Sequence, residues 1–148
     1  MNARIPKTVL ADTCFWFAIY DSKDQYHKEA IEIYEHIQNA TIIIPWPTLY
    51  EVLNTYFVKQ QIWMIQFEKL LKNKNVVRLE DNVYKEKALE ETFSKSIVKK
   101  WNISLVDNVI RQILSDDKIK VEYLITFNEG DFLDILKKKP NTKLYSNY

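Results

Sequence analysis

Apolar positions along this chain follow two different periods. Short runs of β-branched and aliphatic residues mark strands: Thr8-Val9-Leu10-Ala11, which stops at Asp12, then Thr41-Ile42-Ile43-Ile44, then Val76-Val77-Arg78-Leu79. Glu122-Tyr123-Leu124-Ile125-Thr126 reads as a fourth strand and Lys143-Leu144-Tyr145 as a short last one. Between them the spacing turns helical. Tyr26, Ala30, Ile33, Tyr34 and Ile37 recur on one face, with Asp24 as the expected cap. Pro45 and Pro47 are expected to stop the second strand. Thr48 then caps a helix in which Leu49, Val52, Leu53, Tyr56 and Phe57 share a face, with Glu51 at the capping-box position. Further helices are predicted over Ile62–Leu71 and Val83–Val98. Ser104 is expected to cap one that carries Asp107 and Ile110.

Strands that alternate with helices predict an α/β fold, with a mostly parallel sheet of four to five strands covered on both faces. The 148 residues fit one domain, and the basic segment from Lys137 reads as a mobile tail, 137–148. No apolar run approaches the ~18 residues that a membrane span needs. The only cysteine, Cys14, cannot form an internal disulfide, which fits a reducing cytoplasm. A net charge of +1 argues against indiscriminate polyanion binding, so any nucleic-acid contact rests on a local patch. Glycine changes the picture most. Only Gly130 is present, where average usage would give roughly ten. Phosphate-binding loops, dinucleotide fingerprints and nucleophile elbows each need glycines at fixed spacing and are therefore excluded.

Open α/β sheets hold their ligands outside the carboxyl ends of the strands. Asp12 follows the first strand, Glu51 lies soon after the second, and Asp131 follows the fourth. Each has a structural alternative: Asp12 as a helix cap, Glu51 as the capping-box partner of Thr48, Asp131 as a turn residue after Gly130. Asp107 could pair with Arg111 four residues on. Carboxylates gathered at one edge cannot all stay anionic without a counter-charge, since two at ~4 Å repel by about 4 kcal/mol at an effective dielectric of 20. An all-oxygen set favours Mg²⁺ or Mn²⁺. Cys14 is read as a small packing residue, and most aromatics as core. Trp46, Trp63 and Trp101 are candidates for a dimer interface.

Four segments carry a resemblance. VLADTCFWFAIYDSKDQYHKEA, IIIPWPTLYEVLN, ISLVDNVI and YLITFNEGDF, in this order, resemble the segments of PIN-domain ribonucleases, with acids at Asp12, Glu51, Asp107 and Asp131. The likeness runs from about Thr8 to Phe132. It implies a three-layer α/β/α sandwich and Mg²⁺- or Mn²⁺-dependent RNA cleavage, with those four acids as catalytic and metal-binding residues. Thr13, Ser104 and Asn128 are implied as supporting residues. A chain of this size is similar to the toxin half of VapBC-type toxin–antitoxin pairs, which implies a homodimer and a small antitoxin partner. Two departures stand out. Asn128 competes with Asp131 as the fourth site residue, and Asn108 beside Asp107 threatens to crowd the site. Both departures would favour a non-catalytic module that binds RNA or protein.

Overall fold

A computed structural model describes residues 7–145. The first six residues and the last three, the end of the basic tail, lie outside it. Five strands form one sheet: β1 (Thr8–Ala11), β2 (Thr41–Pro45), β3 (Val76–Leu79), β4 (Tyr123–Ile125) and β5 (Lys143–Leu144). Their order is β3-β2-β1-β4-β5 and every pairing is parallel. β1 is central. Its two neighbours, β2 and β4, are paired in register at Val9↔Ile42 and Val9↔Tyr123. The chain builds outward from β1 on one side and returns to build on the other. A crevice therefore opens at the carboxyl end of β1, where the winding reverses.

Alternation along the strands divides the core in two. Val9, Ala11, Ile42, Ile44 and Ile125 face one layer; Leu10, Ile43 and Leu124 face the other. The first layer holds α1 (Thr13–Tyr20), α2 (His27–Ile37), α3 (Trp46–Val52), α4 (Thr55–Val58) and α5 (Gln61–Leu71). Its centre is aromatic: Phe57 lies edge-on to Tyr20 at 5.6 Å and close to Trp63 and Phe67. The second layer holds α6 (Lys85–Phe93) and α7 (Leu105–Ser115), with Phe132 and the start of α8 (Leu133–Lys138) closing it. The result is the three-layer sandwich. Among the described residues no helix is long and apolar enough to cross a membrane.

Several boundaries differ from expectation for local reasons. β2 runs on through Pro45, which pairs with Leu79 at the end of the ladder. Pro45 is itself the N-cap of α3, with φ −63° and ψ 143°, and Pro47 sits in the first turn. Prolines preset that start, so the helix begins two residues before Thr48. Thr48 is then a buried interior residue and cannot cap, and Glu51 is not its capping-box partner. The expected continuous helix breaks at Leu53, and Asn54 caps α4 by accepting the Phe57 N–H at 2.9 Å. Asp24 does not cap α2. It makes a turn ahead of the helix, its carboxylate accepting the Tyr26 N–H at 2.8 Å. His27 then ties α2 to α1 through Nδ1 and the Ala18 carbonyl, 2.7 Å apart.

The helix expected over Val83–Val98 is α6 followed by a π-helical stretch, Ser94–Val98. Lys100 after it takes φ 54°, a left-handed conformation at a non-glycine residue. Helix α8 lies where the sequence suggested no element. Beyond it, the segment read as a tail is held to the body: Lys139 pairs with Asp117, and the Thr142 hydroxyl donates to the Val121 carbonyl at 2.5 Å.

Candidate active site

Asp12 stands at the switch point. Its backbone N–H bonds to the Ile125 carbonyl at 3.0 Å, which carries the β1–β4 ladder one residue further. Its side chain is 2% exposed. One carboxylate oxygen, Oδ1, caps α1 by accepting the Cys14 N–H at 2.9 Å and also takes the Cys14 thiol at 2.6 Å. The other, Oδ2, accepts the Thr126 hydroxyl at 2.6 Å. The capping role is therefore real and uses one oxygen. Burial pushes the Asp12 carboxyl above its ordinary range, and the bonds from Cys14 and Thr126 oppose that shift without cancelling it.

Cys14 does more than fill space. Burial first, then the neighbouring Asp12 charge, push its thiol far up, so it stays protonated and remains a donor. Neither Cys14 nor Thr126 was singled out from sequence as a partner of Asp12. The Thr126 position was part of the resembling segment, but the bond spans 114 residues and only the fold brings it about.

Asp107 lies in the first turn of α7, which Ser104 caps by accepting the Asp107 N–H at 3.1 Å. Its carboxyl is pushed up to about 7, chiefly by burial and then by the charges of Asp12, Asp131 and Glu51. A hydrogen bond with Ser104 offsets part of this. The fold therefore brings all four acids into one electrostatic field. Glu51 enters from the last turn of α3, and Asp131 from the 3-10 turn Glu129–Asp131 after β4. As placed, no three acidic, histidine or cysteine side chains among the described residues converge tightly enough to enclose a metal ion.

Arg111 does not pair with Asp107. Its guanidinium forks onto Asp134 at 2.7 and 2.8 Å and also donates to the Asp131 carbonyl at 2.7 Å. This holds the Asp134 carboxyl below its usual range. Asn108 turns away from the acids. Its amide donates to the Thr92 hydroxyl at 3.0 Å and to the Ile103 carbonyl, so it links α7 to α6 and does not crowd the site. Asn128 is exposed, and its backbone N–H bonds to the Thr126 hydroxyl at 3.0 Å. The buried Thr13 hydroxyl has no hydrogen-bond partner among the described residues. Of the three tryptophans considered for an interface, Trp101 packs under Arg111 and Lys95, Trp63 joins the aromatic core and Trp46 lies beside Tyr50. A cavity of about 560 Å³ lined by Lys7, Asp116 and Val121 contains none of the four acids; volume alone does not locate the chemistry.

Ser104→Ala removes a cap and a neighbour of Asp107 together. It is expected to cost about 1 kcal/mol, measured by urea unfolding. A change below a few tenths would show that the hydroxyl contributes nothing to α7.

No protein-family model matches the sequence, and no curated protein matches it. Solved structures do. One is Mycobacterium tuberculosis VapC20, described as a sarcin-ricin-loop-cleaving toxin. It aligns over 85% of this chain and 94% of its own at 15% identity, with a TM-score of 0.66. Another is VapBC2 from Rickettsia felis, bound to a DNA fragment from its promoter, at 19% identity over 93% and 97% of the two chains, TM-score 0.57. The fold is thus that of VapC-type, PIN-like proteins.

Proposed function

We propose that this chain, with the sandwich of the VapC-type proteins, is a metal-dependent endoribonuclease and the toxin of a toxin–antitoxin pair. The observation that carries the reading is the gathering of four acids at the β1 switch point, where burial first, and then the charges of Asp12, Asp131 and Glu51, push the Asp107 carboxyl up to about 7. Such a gathering calls for a counter-cation. Asp12, Glu51, Asp107 and Asp131 are the groups that would hold it, and their all-oxygen chemistry fits Mg²⁺ or Mn²⁺. When bound, such an ion supplies charge stabilisation of the scissile phosphodiester and activation of a water for in-line attack.

The chain's own residues do the positioning. Cys14 and Thr126 fix both oxygens of Asp12 and so aim the carboxylate. Ser104 holds the start of α7 and with it Asp107. Asp131 is favoured over Asn128 as the fourth acid, because its charge acts on Asp107. The alternative, a non-catalytic binding module, loses its main support with Asn108 turned aside. The same reading gives the protein a small antitoxin partner, a homodimeric state and a place in the cytoplasm. The Rickettsia felis neighbour, a VapBC2 assembly, motivates the partner.

The test is cleavage of an RNA that contains both stem and loop regions, in Mg²⁺, in Mn²⁺ and in EDTA. Cutting with either ion that stops in EDTA and returns when the ion is added back is the expected result. RNA binding without cutting, in every condition, would transfer the reading to the binding module.

A further inference from the structure

Arg111 lies one helical turn after Asp107 on α7 and is 3% exposed. Its Nη1 donates to the Asp131 main-chain carbonyl at 2.7 Å and to Asp134 Oδ1 at 2.7 Å; Nη2 donates to Asp134 Oδ2 at 2.8 Å. The Trp101 ring lies 4.9 Å from its Cζ. A planar fork bound at three points and stacked on a ring has little freedom left.

From this geometry we infer that Arg111 is a positioning residue. From the helix that carries Asp107, it grips the main chain of Asp131 and so sets the spacing of the two acids. The inference rests on the proposed metal-dependent reading. It goes beyond that reading because Arg111 touches neither the acidic side chains nor any substrate. Its charge is already matched by Asp134, so its contribution to the site is distance, not potential. A lysine could supply the charge but not the fork.

A plain buried ion pair would look similar, and the experiment must separate the two. Breaking such a pair one-sidedly leaves a buried charge, whereas replacing both partners with apolar residues often restores stability. The variant is therefore Arg111→Met with Asp134→Leu, compared with wild type and Arg111→Lys. Thermal unfolding measures stability. Electron paramagnetic resonance of free Mn²⁺ measures affinity. Amide hydrogen exchange over residues 128–132 measures how firmly the turn is held.

The expected result is near-wild-type stability in the double variant, with Mn²⁺ affinity weakened about 10- to 100-fold, the range for lost outer-shell partners. Exchange over 128–132 quickens in parallel, and Arg111→Lys falls between. Wild-type affinity and wild-type exchange in a stable double variant would overturn the inference, leaving Arg111 a structural ion pair only. If wild type itself binds no Mn²⁺, the metal reading fails, and unchanged exchange alone then decides against the clamp. Should the double variant not fold, Arg111→Lys, which keeps the charge and loses the fork, is judged by the same two readouts.

Discussion

Asp12→Asn is expected to leave a folded protein whose RNA cleavage, as kcat/KM, falls by more than about 100-fold, since losing even an outer-shell partner of a metal site costs about 10- to 100-fold. The substitution changes little besides charge. An asparagine oxygen can still accept the Cys14 N–H that now goes to Oδ1, so the cap of α1 survives. A rotated Thr126 hydroxyl can accept from the new amide at the place of Oδ2. The metal-free protein should also become more stable, because the Asp12 carboxyl is raised by burial and its ionised form is disfavoured in the fold. A rise in Tm together with the loss of cleavage is the signature of a functional acid held against its own preference. Thr126→Val should lie between, at about 10- to 100-fold. Cleavage at the wild-type rate by Asp12→Asn would remove Asp12 from the chemistry and leave it a helix cap.

The second large effect is a stability that falls as pH rises in the absence of metal. Asp107 titrates near 7 in the fold, against 3.8 ordinarily. The folded state therefore binds this proton more tightly than the unfolded chain does. The stabilisation is complete below about pH 4 and is lost as pH climbs through about 7. Taken in full, the shift is worth about 4 kcal/mol; because Asp107 keeps part of its surface in water, about 2–3 kcal/mol is the better expectation. For a chain of this size that is on the order of 5–10 °C in Tm. Asp12 acts in the same direction. Asp134, Asp116 and Glu91 are lowered, so they act the other way, but their stabilisation is lost only on acidification, below the range of interest. Between pH 5 and 8 the raised acids set the slope. Mn²⁺ should restore the lost degrees at pH 8 and do little at pH 5, where protonated carboxyls bind it poorly. Thermal scans in EDTA and in Mn²⁺ across that range test this, with Asp107→Asn expected to show a shallower slope, the part that Asp12 leaves. A wild-type Tm independent of pH in EDTA would show that the fold does not raise the Asp107 carboxyl.

The strands were legible because β-branched runs buried on both faces have few other uses: Thr41 to Ile44 could hardly be anything else. What failed was punctuation that competes with a continuing apolar face. Leu49, Val52, Leu53, Tyr56 and Phe57 keep helical spacing straight through the break at Leu53, so the cap at Asn54 went unread. Helix α8 is short and owes its place to Ile135 and Leu136 packing on the second core, which sequence spacing does not reveal. In the site, Asp12, Glu51 and Asp131 were legible as neighbours at one edge of the sheet, and Asp107 joined them only through the resemblance. In sequence Asn128 stands against Asp131 as the fourth site residue; it is exposed, with its backbone N–H on the Thr126 hydroxyl, while Asp131 is among the charges that raise Asp107. For Arg111 the sequence offered only a local pairing, as the alternative reading of Asp107. The fold supplied a better partner 23 residues downstream.

The parallel ladder between β1 and β4 also fixes the order in which the centre can form. The Thr126 hydroxyl that holds Asp12 comes 114 residues later in the chain. So do the turn bearing Asp131 and the strand that closes the crevice. Closing a loop that long must precede any reward from the contacts it makes. A growing chain, made from its N-terminus, thus carries an unfinished centre for most of its synthesis. The acidic centre is assembled only once β4 and the turn after it have been made.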